Sequence, residues 1–584
     1  MKAFYLYFIL LVSYTSIAQT YSPEVEAKIK QVENNLFRYF KIEGQANETI
    51  KQRMALYKIV GLSIAVVNDY KIEWAKGYGW ADSAEKRSVT PETVFEPGSI
   101  SKSLNSVGIL KLAQNKQIDL YTDINNYLTS WKFPYDTTSK GKKITMANLL
   151  SHTAGLTVHG FLGYEVGDTI PTLQQILDGK RPANSEAVRS EIEPGIKHMY
   201  SGGGTTISQL ILTDITKQPY DKWMFENVLK PIGMTNSSFS QPQPKEKQKL
   251  MATGYLKDRV VKGKYHVYPE QAAAGLWTTP TDLAKFIIET QQSLKGKSNK
   301  VLTQQTTQLQ LRPYIDSAVG LGVFTDNRNG VKYFSHGAGN AGFSGYYTGS
   351  YEGGNGIVIV CNATDVIGLR NELINSVATA YQWKGLEVTE SVTKKEVKLS
   401  ENKADKFIGC YQTGTNINEI YKKGNTYYLQ AAANPWQIHF TSDSSFINLE
   451  SISEKIFLFN KEGKVEGLRR IVLNRAGDSA KKVEVLKLSK IDLQKFVGDY
   501  KIDEKFIGNY AIDEITNSVI INDGVPFLAV NKNTKCKMKF ISKNEFFMTE
   551  DPGALYTFQI DSDGKVSGFT GNDGEKSVTL RRSK

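Results

Sequence analysis

The chain has 584 residues, which exceeds one ordinary domain, so we expect two to four domains. Hydrophobic residues make up 40% of it and charged residues 23%, values that exclude global disorder and a membrane-embedded helical bundle. The formal net charge is +12, but the lysines are spread along the chain and form no basic stripe interleaved with aromatic residues. The charge therefore predicts weak attraction to anionic surfaces and no nucleic-acid binding.

The first residues predict a secretory signal peptide over residues 1–18. Lys2 precedes an apolar run from Phe4 to Val12, and the small residue Ala18 marks the expected cleavage site. The alternative, a membrane anchor, is disfavoured because this run is shorter than the roughly 20 residues of a spanning helix. The sequence thus predicts an exported protein, periplasmic or secreted, with no transmembrane segment in the mature chain.

Three cysteines occur, an odd number without metal-ligand spacing. This pattern predicts neither a disulfide framework nor a zinc site, and cysteines of this kind are usually buried. We therefore expect core or half-buried positions for Cys361, Cys410 and Cys536.

Hydrophobic periodicity and capping residues predict an α/β domain in the first two thirds of the chain. We expect one mixed sheet, closed by segments from both ends of this region, with covering helices and a helical subdomain. The predicted elements are a helix over 25–39 capped by Ser22, strands over 61–67 and 71–76, a helix from Ser99 past Leu112, a helix starting at Thr279, and a strand over 357–360.

The composition changes after Trp383, and a polar, lysine-rich stretch follows at 387–405. Beyond it, short strand-like runs alternate with turns, and two patterns recur at offsets of about ninety to a hundred residues: Lys-Phe-x-Gly-x-Tyr from Lys406 and Lys495, and Gly-Lys-Val-x-Gly from Gly463 and Gly564. Such repetition favours two small all-β, barrel-like domains over a single larger one. The predicted boundaries are 19–387, 388–488 and 489–584.

Ser99 and Lys102 form a Ser-x-x-Lys pattern at a predicted helix start. The pattern alone is weak, because it recurs at Ser83, Ser139, Ser391, Ser400, Ser479 and Ser562. Only Ser99 follows a Pro97-Gly98 turn and leads into an apolar helix, where Ser99 and Lys102 share one face. Free N–H groups at the helix start suit a developing oxyanion, and a serine hydroxyl needs a nearby base to become nucleophilic. Taken alone, Ser99 would be a helix cap.

Several segments in a fixed order make residues 25–385 resemble the serine beta-lactamase and D-alanyl-D-alanine peptidase superfamily, especially its class C beta-lactamase and esterase branch. No single segment is specific, whereas their joint order is. They are Gly61 to Val67, Pro97 to Lys102, Leu149 to Leu156, Pro194-Gly195 ahead of Tyr200-Ser201-Gly202, Lys230 to Thr235, Ala273 to Thr279, and His336 to Phe343.

The resemblance implies a serine hydrolase that forms an acyl-serine intermediate, with neither a metal nor an organic cofactor. Ser99 would be the nucleophile, Lys102 its neighbour and Tyr200 the general base and acid. His336, Gly337 and Ala338 would replace the Lys-Thr-Gly motif on the edge strand. The oxyanion hole would be formed by the backbone N–H groups of Ser99 and Gly339.

Gly202 departs from the family pattern, since it stands where the Tyr-x-Asn motif has asparagine. We expect the glycine to open space beside Ser99 and to disfavour amide and beta-lactam substrates. His152 is expected to tie a loop through hydrogen bonds, while His159, His198, His266 and His439 are expected to be incidental.

The substrates implied are short esters, amides or peptides, including D-configured cell-wall peptides, with no nucleic-acid partner. Two alternatives remain open. One is a true beta-lactamase or D,D-carboxypeptidase, and the other is a binding or sensor protein that acylates slowly or not at all.

Overall fold

The structure, a computed structural model, describes residues 21–256, 259–364, 366–386, 391–431, 435–472, 475–502, 506–507, 510–511, 516–530, 534–572 and 577–583. The predicted signal peptide over 1–18 lies outside these residues. The described chain combines a helix-covered sheet with two β structures that follow it. None of the helices in the described ranges has the length and apolar character that a bilayer crossing requires.

The helices, in chain order, are α1 Pro23–Asn34, α2 Ile50–Leu56, α3 Ser101–Gln114, α4 Met146–Leu150, α5 Leu173–Asp178, α6 Gly202–Thr216, α7 Tyr220–Met224, α8 Lys230–Ile232, α9 Lys245–Gln248, α10 Gln271–Ala274, α11 Pro280–Leu294, α12 Gln304–Leu311, α13 Ile367–Tyr381, α14 Glu401–Ala404 and α15 Lys490–Gln494.

The strands of the first two thirds are β1 Phe40–Ile42, β2 Gly61–Asn68, β3 Lys71–Asp82, β4 Arg87–Ser88, β5 Tyr164–Glu165, β6 Tyr255–Leu256, β7 Arg259–Val260, β8 His266–Val267, β9 Phe324–Arg328, β10 Val331–Asn340, β11 Phe343–Ser350, β12 Gly356–Cys361 and β13 Val392–Lys394.

The later strands are β14 Gly409–Thr413, β15 Asn416–Lys423, β16 Thr426–Gln430, β17 Pro435–Gln437, β18 His439–Phe440, β19 Ser445–Ile447, β20 Ser453–Phe459, β21 Val465–Val472, β22 Arg475–Val483, β23 Gly498–Ile502, β24 Phe506–Ile507, β25 Tyr510–Ala511, β26 Thr516–Asn522, β27 Val525–Val530, β28 Thr534–Phe540, β29 Glu545–Met548, β30 Asp551–Ile560, β31 Val566–Asn572 and β32 Ser577–Arg582.

A seven-stranded sheet in the order β4-β3-β2-β12-β11-β10-β9 forms the centre of the first region. The N-terminal hairpin pairs with the C-terminal strand β12, with Ile64 opposite Ile359, so segments from both ends close the sheet as predicted. This confirms the α/β fold class with covering helices. One detail of the prediction was wrong: the sheet is antiparallel at every pairing rather than mixed, because its strands are joined as hairpins on each side of a long helical excursion.

Strand alternation divides the apolar residues of the sheet between two cores. Ala65 and Val67 face the core that contains α3, α6 and α11, whereas Ile64 and Val66 face α1 and α13. Both faces are therefore covered, which explains why these strands read as continuous apolar runs. The candidate site lies on the face covered by α3.

Most predicted helix starts are confirmed by their caps. The Ser22 side chain accepts a hydrogen bond from Val25, and the Thr279 side chain accepts one from Asp282. However, α1 ends at Asn34 instead of reaching residue 39. The apolar period continues past that point because Leu36 and Phe40 also enter cores, but they do so from a loop and a short strand.

A completely buried arginine connects α2 to α13 and to the first C-terminal β structure. The Arg53 guanidinium pairs with Glu372 of α13 and with Glu48, and its Nη1 lies 3.2 Å from Glu450 Oε1. It also donates to the Tyr57 hydroxyl at 2.9 Å. The carboxylate of Glu372 raises the pKa of Arg53 against the opposing effect of burial, so the charge is retained.

The C-terminal third forms two separate antiparallel β structures, which favours two modules over one larger β domain. The first, here called the first barrel-like sheet, has nine strands from β14 to β22. Its outermost strands β17 and β18 are separated only by Ile438, so the sheet curls back on itself. The second, called the second barrel, is a closed barrel of β23 and β26 to β32. The exact domain boundaries stay a prediction.

The sequence repeat has the same structural role in both modules. The Tyr411 hydroxyl donates to the Phe407 carbonyl, and the Tyr500 hydroxyl donates to the Phe496 carbonyl, each at 2.6 Å. Gly463 and Gly564 both occupy positive-φ turn positions at 75° and 78°. The repeated residues thus secure equivalent turns and strand starts.

The three cysteines are buried, as predicted. Cys361 ends β12 and packs in the core on the side of α1 and α13. Cys410 lies on β14 of the first barrel-like sheet, and Cys536 lies on β28 of the second barrel. Burial raises the pKa of the Cys410 thiol to about 12, which keeps it protonated.

We expect Arg53→Met to lower the free energy of unfolding by about 3–5 kcal/mol, because the substitution leaves the nearly buried carboxylate of Glu372 without the arginine that pairs with it. Urea denaturation followed by tryptophan fluorescence measures the change. Lys230→Met is the matched control, since Lys230 and Glu226 form an exposed pair worth about 0.5 kcal/mol or less. Equal effects of the two substitutions would contradict the structural role of Arg53.

Candidate active site

The turn that carries Ser99 is packed so closely that only glycine fits before it. Gly98 has φ +59°, and a Cβ there would lie 2.7 Å from Asn340 Oδ1 and 2.9 Å from the Gly339 carbonyl oxygen. A 3₁₀ turn over Gly98–Ile100 then leads into α3. Between Thr93 and Leu110, Ser99 is the one residue that is not buried. The fold therefore exposes this hydroxyl at a helix start beside strand β10.

Lys102 lies one turn further along and points back at the serine. Its Nζ donates to Ser99 Oγ at 3.0 Å and to the Ala273 carbonyl of α10 at 2.8 Å. The residue is only 4% exposed. The predicted pairing of Ser99 with Lys102 is thus present in the structure, and the carbonyl of α10 fixes the ammonium group.

The two serines that could compete with Ser99 are engaged in structural hydrogen bonds. Ser101 Oγ donates to the Gly98 carbonyl at 2.5 Å and accepts from the Leu276 N–H. Ser151 Oγ donates to the Ala147 carbonyl at 2.7 Å. Both are completely buried, so neither can meet a substrate in this conformation.

Tyr200 lies between Lys102 and two histidines. Its ring centroid is 4.9 Å from Lys102 Nζ, 4.2 Å from the ring of His152 and 6.4 Å from the ring of His336. Tyr200 directly precedes Ser201, the N-cap of α6. The structure thus brings together the four side chains that the resemblance singles out, Ser99, Lys102, Tyr200 and His336.

His336 is a buried, neutral histidine on strand β10. Its Nδ1 lies 2.6 Å from the Gly337 carbonyl, to which it donates in the neutral tautomer that this contact requires. Burial, strengthened by the nearby charge of Lys102, lowers the pKa of His336 to about 3. At neutral pH the imidazole therefore adds no positive charge to the site.

His152 ties its loop to the start of α6, as the sequence predicts. Its Nδ1 accepts a hydrogen bond from the Ser201 N–H at 3.2 Å, and its carbonyl accepts one from Met199 at 2.7 Å. Burial lowers the pKa of His152 well below its ordinary value, with further contributions from Lys102 and His336. What the sequence did not reveal is that this ring also packs against Tyr200 and thereby positions it.

His198, which we expected to be incidental, belongs to the same cluster. Its ring lies 6.0 Å from His152 and 6.2 Å from Phe324, and burial lowers its pKa. Its place two residues before Tyr200 is the one sequence signal that could have indicated it. His159 contacts the backbone carbonyl of Tyr200 through its Nδ1 at 2.5 Å, so it lies next to the predicted site. His266 contacts the Leu162 carbonyl and His439 the Glu396 carboxylate, and both lie outside this group of rings.

The small residues of β10 face in alternating directions. Ala338 packs on the side of the α3 core together with His336. A Cβ at Gly337 would instead point towards Tyr346 and Arg370 on the opposite side. Any contact of Gly337 with a substrate must therefore be made by its backbone. Gly339 is exposed and lies beside the Ser99 turn, where the predicted oxyanion hole requires it.

The space beside Gly202 is filled, which corrects the expectation that glycine opens it. A Cβ at Gly202 would lie 3.0 Å from Cε2 of Phe161 and 3.6 Å from the His159 carbonyl oxygen. The Phe161 ring thus occupies the direction in which the asparagine side chain of relatives would project. The sequence could not reveal this neighbour, because Phe161 lies 41 residues away on another loop.

Two buried carboxyl groups flank α10 and had no sequence signal. Glu270 is its N-cap residue, and Gln241 Nε2 joins Glu96 to the Gly275 carbonyl at the other end, with both distances 3.0 Å. Burial raises the pKa of each carboxyl to about 8, so both are largely protonated at neutral pH. In the described residues, no group of three or more His, Cys, Asp or Glu side chains is arranged to hold a metal ion.

The depressed pKa of His336 predicts a loss of stability in acid. In the unfolded chain His336 takes up its proton near pH 6.5, whereas the folded chain resists protonation until about pH 3. The unfolded state thus binds more protons between these values, so this contribution is complete above pH 6.5 and is lost as the pH falls. One such histidine accounts for about 2 kcal/mol between pH 7 and pH 5.

The free energy of unfolding should fall between pH 7 and pH 5 in both the unmodified protein and His336→Gln. We expect the fall to be about 2 kcal/mol smaller in His336→Gln, because the titrating imidazole is gone. Urea denaturation at the two pH values measures this difference. His266→Gln, a change at a partly exposed histidine, should retain the full acid sensitivity. An unchanged pH dependence in His336→Gln would rule out a buried neutral imidazole.

Curated proteins similar in sequence to this chain include penicillin-binding-like proteins. Protein flp of Staphylococcus aureus (strain N315) is 28% identical over 245 residues, which are 41% of this chain and 45% of that protein. PbpX of Bacillus subtilis (strain 168), named as a candidate penicillin-binding protein, is 25% identical over 289 residues, 47% of this chain and 65% of that one. The chain thus spans about half the length of flp.

A solved structure shares the fold. The octameric penicillin-binding protein homologue from Pyrococcus abyssi superposes with a TM-score of 0.50 at 18% identity, and covers 83% of this chain and 97% of its own. The beta-lactamase family profile matches residues 46–380, a range that includes Ser99, Lys102, Tyr200 and His336. The seven-stranded sheet, the Ser99 turn and this match together establish that the chain belongs to the beta-lactamase family.

Proposed function

We propose that this protein is a serine hydrolase that transfers an acyl group to Ser99 and then to water. The observation that carries the proposal is the 3.0 Å contact between Lys102 Nζ and Ser99 Oγ, at the one position between Thr93 and Leu110 that is not buried. Members of the family are generally serine hydrolases, and this contact places a lysine beside the serine oxygen that would attack the substrate. The substrates proposed are short esters, amides or peptides, including D-configured ones.

Tyr200 is the proposed general base, assisted by Lys102. The lysine Nζ donates to Ser99 and lies 4.9 Å from the centroid of the Tyr200 ring, so the lysine connects the serine with the tyrosine. In this scheme the Tyr200 oxygen takes the proton of Ser99 and later returns it to the leaving group. Neutral His336 leaves Lys102 as the dominant cation beside Tyr200.

The developing oxyanion is proposed to lie between the backbone N–H groups of Ser99 and Gly339. The close approach of Gly98 to the Gly339 carbonyl supports this, because it places the serine turn beside strand β10. Preorganised N–H donors of this kind contribute on the order of 3 kcal/mol to the transition state. Water then attacks the acyl-serine with Tyr200 again as base.

Phe161 favours activated esters over amide and beta-lactam substrates. An asparagine at position 202 would anchor a substrate amide, but here that direction is occupied by an apolar ring. Substrates with good leaving groups depend less on such an anchor. A true beta-lactamase or D,D-carboxypeptidase is therefore the second candidate, and a slowly acylating binding protein is the third. The class C-like character remains part of this proposal.

The wider setting is also proposed. The chain would be exported to the periplasm or secreted, after removal of residues 1–18. The hydrolase domain would span 19–387, followed by β domains over 388–488 and 489–584. The relatives named as penicillin-binding proteins make cell-wall-derived peptides a reasonable first panel of substrates.

Ser99 should be the serine labelled by a fluorophosphonate probe, and the labelling rate should depend on its neighbours. We expect Tyr200→Phe and Lys102→Met each to slow labelling by about a hundredfold or more, the scale of a lost acid–base group. Stopped labelling reactions followed by peptide mass spectrometry measure both site and rate.

Ser151→Ala is the matched control and should label at the normal rate, because Ser151 is buried and bound to Ala147. Ester turnover should be absent in Ser99→Ala. A label on Ser101 or Ser151, or normal labelling of Tyr200→Phe and Lys102→Met together, would contradict the mechanism.

Position 202 should become a substrate contact only when Phe161 is removed. We expect Gly202→Asn alone to lower p-nitrophenyl butyrate turnover, since its Cβ must displace the Phe161 ring. The double variant Gly202→Asn/Phe161→Ala should recover ester turnover and raise the ratio of nitrocefin to ester turnover by about tenfold or more, the scale of one regained hydrogen bond to a charged or polarised group. Values of kcat/KM for both substrates provide the measurement.

Phe161→Ala alone is the control, because it enlarges the site without adding the amide. A nitrocefin-to-ester ratio that rises equally in Phe161→Ala would show that space, not the amide, determines the preference. Efficient nitrocefin turnover by the unmodified protein would promote the beta-lactamase alternative.

A further inference from the structure

The first barrel-like sheet contains a cavity of about 430 Å³ at one end. Its floor is apolar and formed by Leu429, Leu468 and Ala480, which belong to the interior core of the sheet. Its walls carry polar and charged side chains. The mouths of β-barrels are a common place for small ligands, and this volume is in the usual range for them.

Strand alternation determines which side chains line this cavity. Inward-facing residues recur at every second position, so the residue two places beyond each core residue forms the next layer towards the mouth. From Phe457, Leu468 and Ala480 this rule leads to Lys455, Arg470 and Asp478, all of which line the cavity. The side chains of Arg470 and Asp478 are about half exposed and so lie at its open side. Three adjacent strands thus contribute three charged groups to one layer.

This layer carries two positive charges, on Lys455 and Arg470, and one negative charge, on Asp478. Lys455 lies directly opposite Arg470 in the register of β20 and β21, an unfavourable like-charge pair. Arg470 Nε binds Asp478 Oδ1 at 2.6 Å, whereas Lys455 Nζ donates to the neutral Ser453 hydroxyl at 3.1 Å. Burial and the nearby Arg470 lower the pKa of Lys455 to about 8. The cavity therefore has one cation without a carboxylate partner among the described residues.

A second group in the cavity also lacks a partner. Asn448 is only 4% exposed, and its side-chain oxygen has no hydrogen-bond partner among the described residues. A buried acceptor of this kind carries a cost of about 1–3 kcal/mol unless it is satisfied. Glu450, which also lines the cavity, is not available as a partner for Lys455, because it pairs with Arg53 of α2.

The second barrel provides an internal comparison. Its core residues Phe558 and Phe569 correspond to Phe457 and Leu468, and the same step of two positions leads to Tyr556 and Gly571. A Cβ at Gly571 would lie 2.6 Å from Tyr556 Cε1, so the tyrosine ring covers the glycine. Where the first sheet has a basic pair around a cavity, the second barrel has an aromatic ring in the corresponding layer.

We propose that the mouth of the first barrel-like sheet binds a small amphipathic carboxylate, with its carboxylate on Lys455, a hydrogen-bond donor on Asn448 and its apolar part on the Leu429 and Leu468 floor. A single unpaired cation beside Asp478 and Glu450 favours a monoanion over a phosphate dianion. N-acylated amino acids have this combination of groups. The proposal is independent of the chemistry at Ser99.

The test uses the full-length Ser99→Ala protein, so that the active site cannot consume the ligand. N-acetyl-leucine is titrated at pH 7 and binding is followed by saturation-transfer NMR, with N-acetyl-leucine amide and inorganic phosphate as comparison probes. We expect saturable N-acetyl-leucine binding at millimolar concentration or below, and at least tenfold weaker binding of the amide, since it lacks the charge.

Lys455→Met should weaken N-acetyl-leucine binding at least tenfold and leave Tm unchanged or higher, because it removes a like-charge contact. Lys461→Met, a change at an exposed lysine of the same sheet, is the matched control and should alter neither quantity. Asn448→Leu should also weaken binding. Failure to bind N-acetyl-leucine, equal binding of the amide or of phosphate, or full binding by Lys455→Met would each overturn the proposal.

Discussion

The close contact between the Gly98 turn and strand β10 is the constraint on which the candidate site depends. The turn lies so close to Asn340 that no Cβ would fit at Gly98. The Asn340 side chain in turn donates to the Ala274 carbonyl at 3.0 Å. Lys102 donates to the preceding carbonyl, that of Ala273. Two adjacent carbonyls of the short helix α10 thus accept one hydrogen bond from Asn340 of β10 and one from Lys102 of α3. Lys102, the turn that carries Ser99 and strand β10 thus meet at one set of polar contacts.

Burial keeps the surroundings of this junction uncharged. The low pKa of His336 and the high pKa values of Glu96 and Glu270 leave all three neutral or largely neutral near pH 7. Among the described residues no carboxylate forms an ion pair with Lys102, whose Nζ contacts Ser99 and the Tyr200 ring. Keeping polar groups buried in this way costs stability, and such perturbed groups are typically concentrated at functional sites.

The elements that sequence reasoning predicted well are those specified by local chemistry. Thr279 followed by proline and Asp282 dictates a helix cap wherever it lies, and the Ser99 turn is recognisable from its own neighbours. The packing of His152 against Tyr200 was missed because it joins residues 48 positions apart, which no local pattern encodes. The end of α1 was missed for a related reason: Leu36 is buried by tertiary packing, so the apolar period outlasts the helix.

The absence of a side chain in a motif does not establish that space is left there. Gly202 suggested an open site, yet Phe161 arrives from a different loop and fills that direction. The two β modules differ in the same way. Tyr556 covers Gly571 in the second barrel, whereas the corresponding layer of the first sheet has a cavity next to Lys455. At both Gly202 and Gly571 the space beside the glycine is taken by an aromatic ring, whereas the first sheet has Arg470 in the layer of Gly571. The repeated patterns thus fix equivalent turns and strands in the two modules, and the side chains packed around them differ.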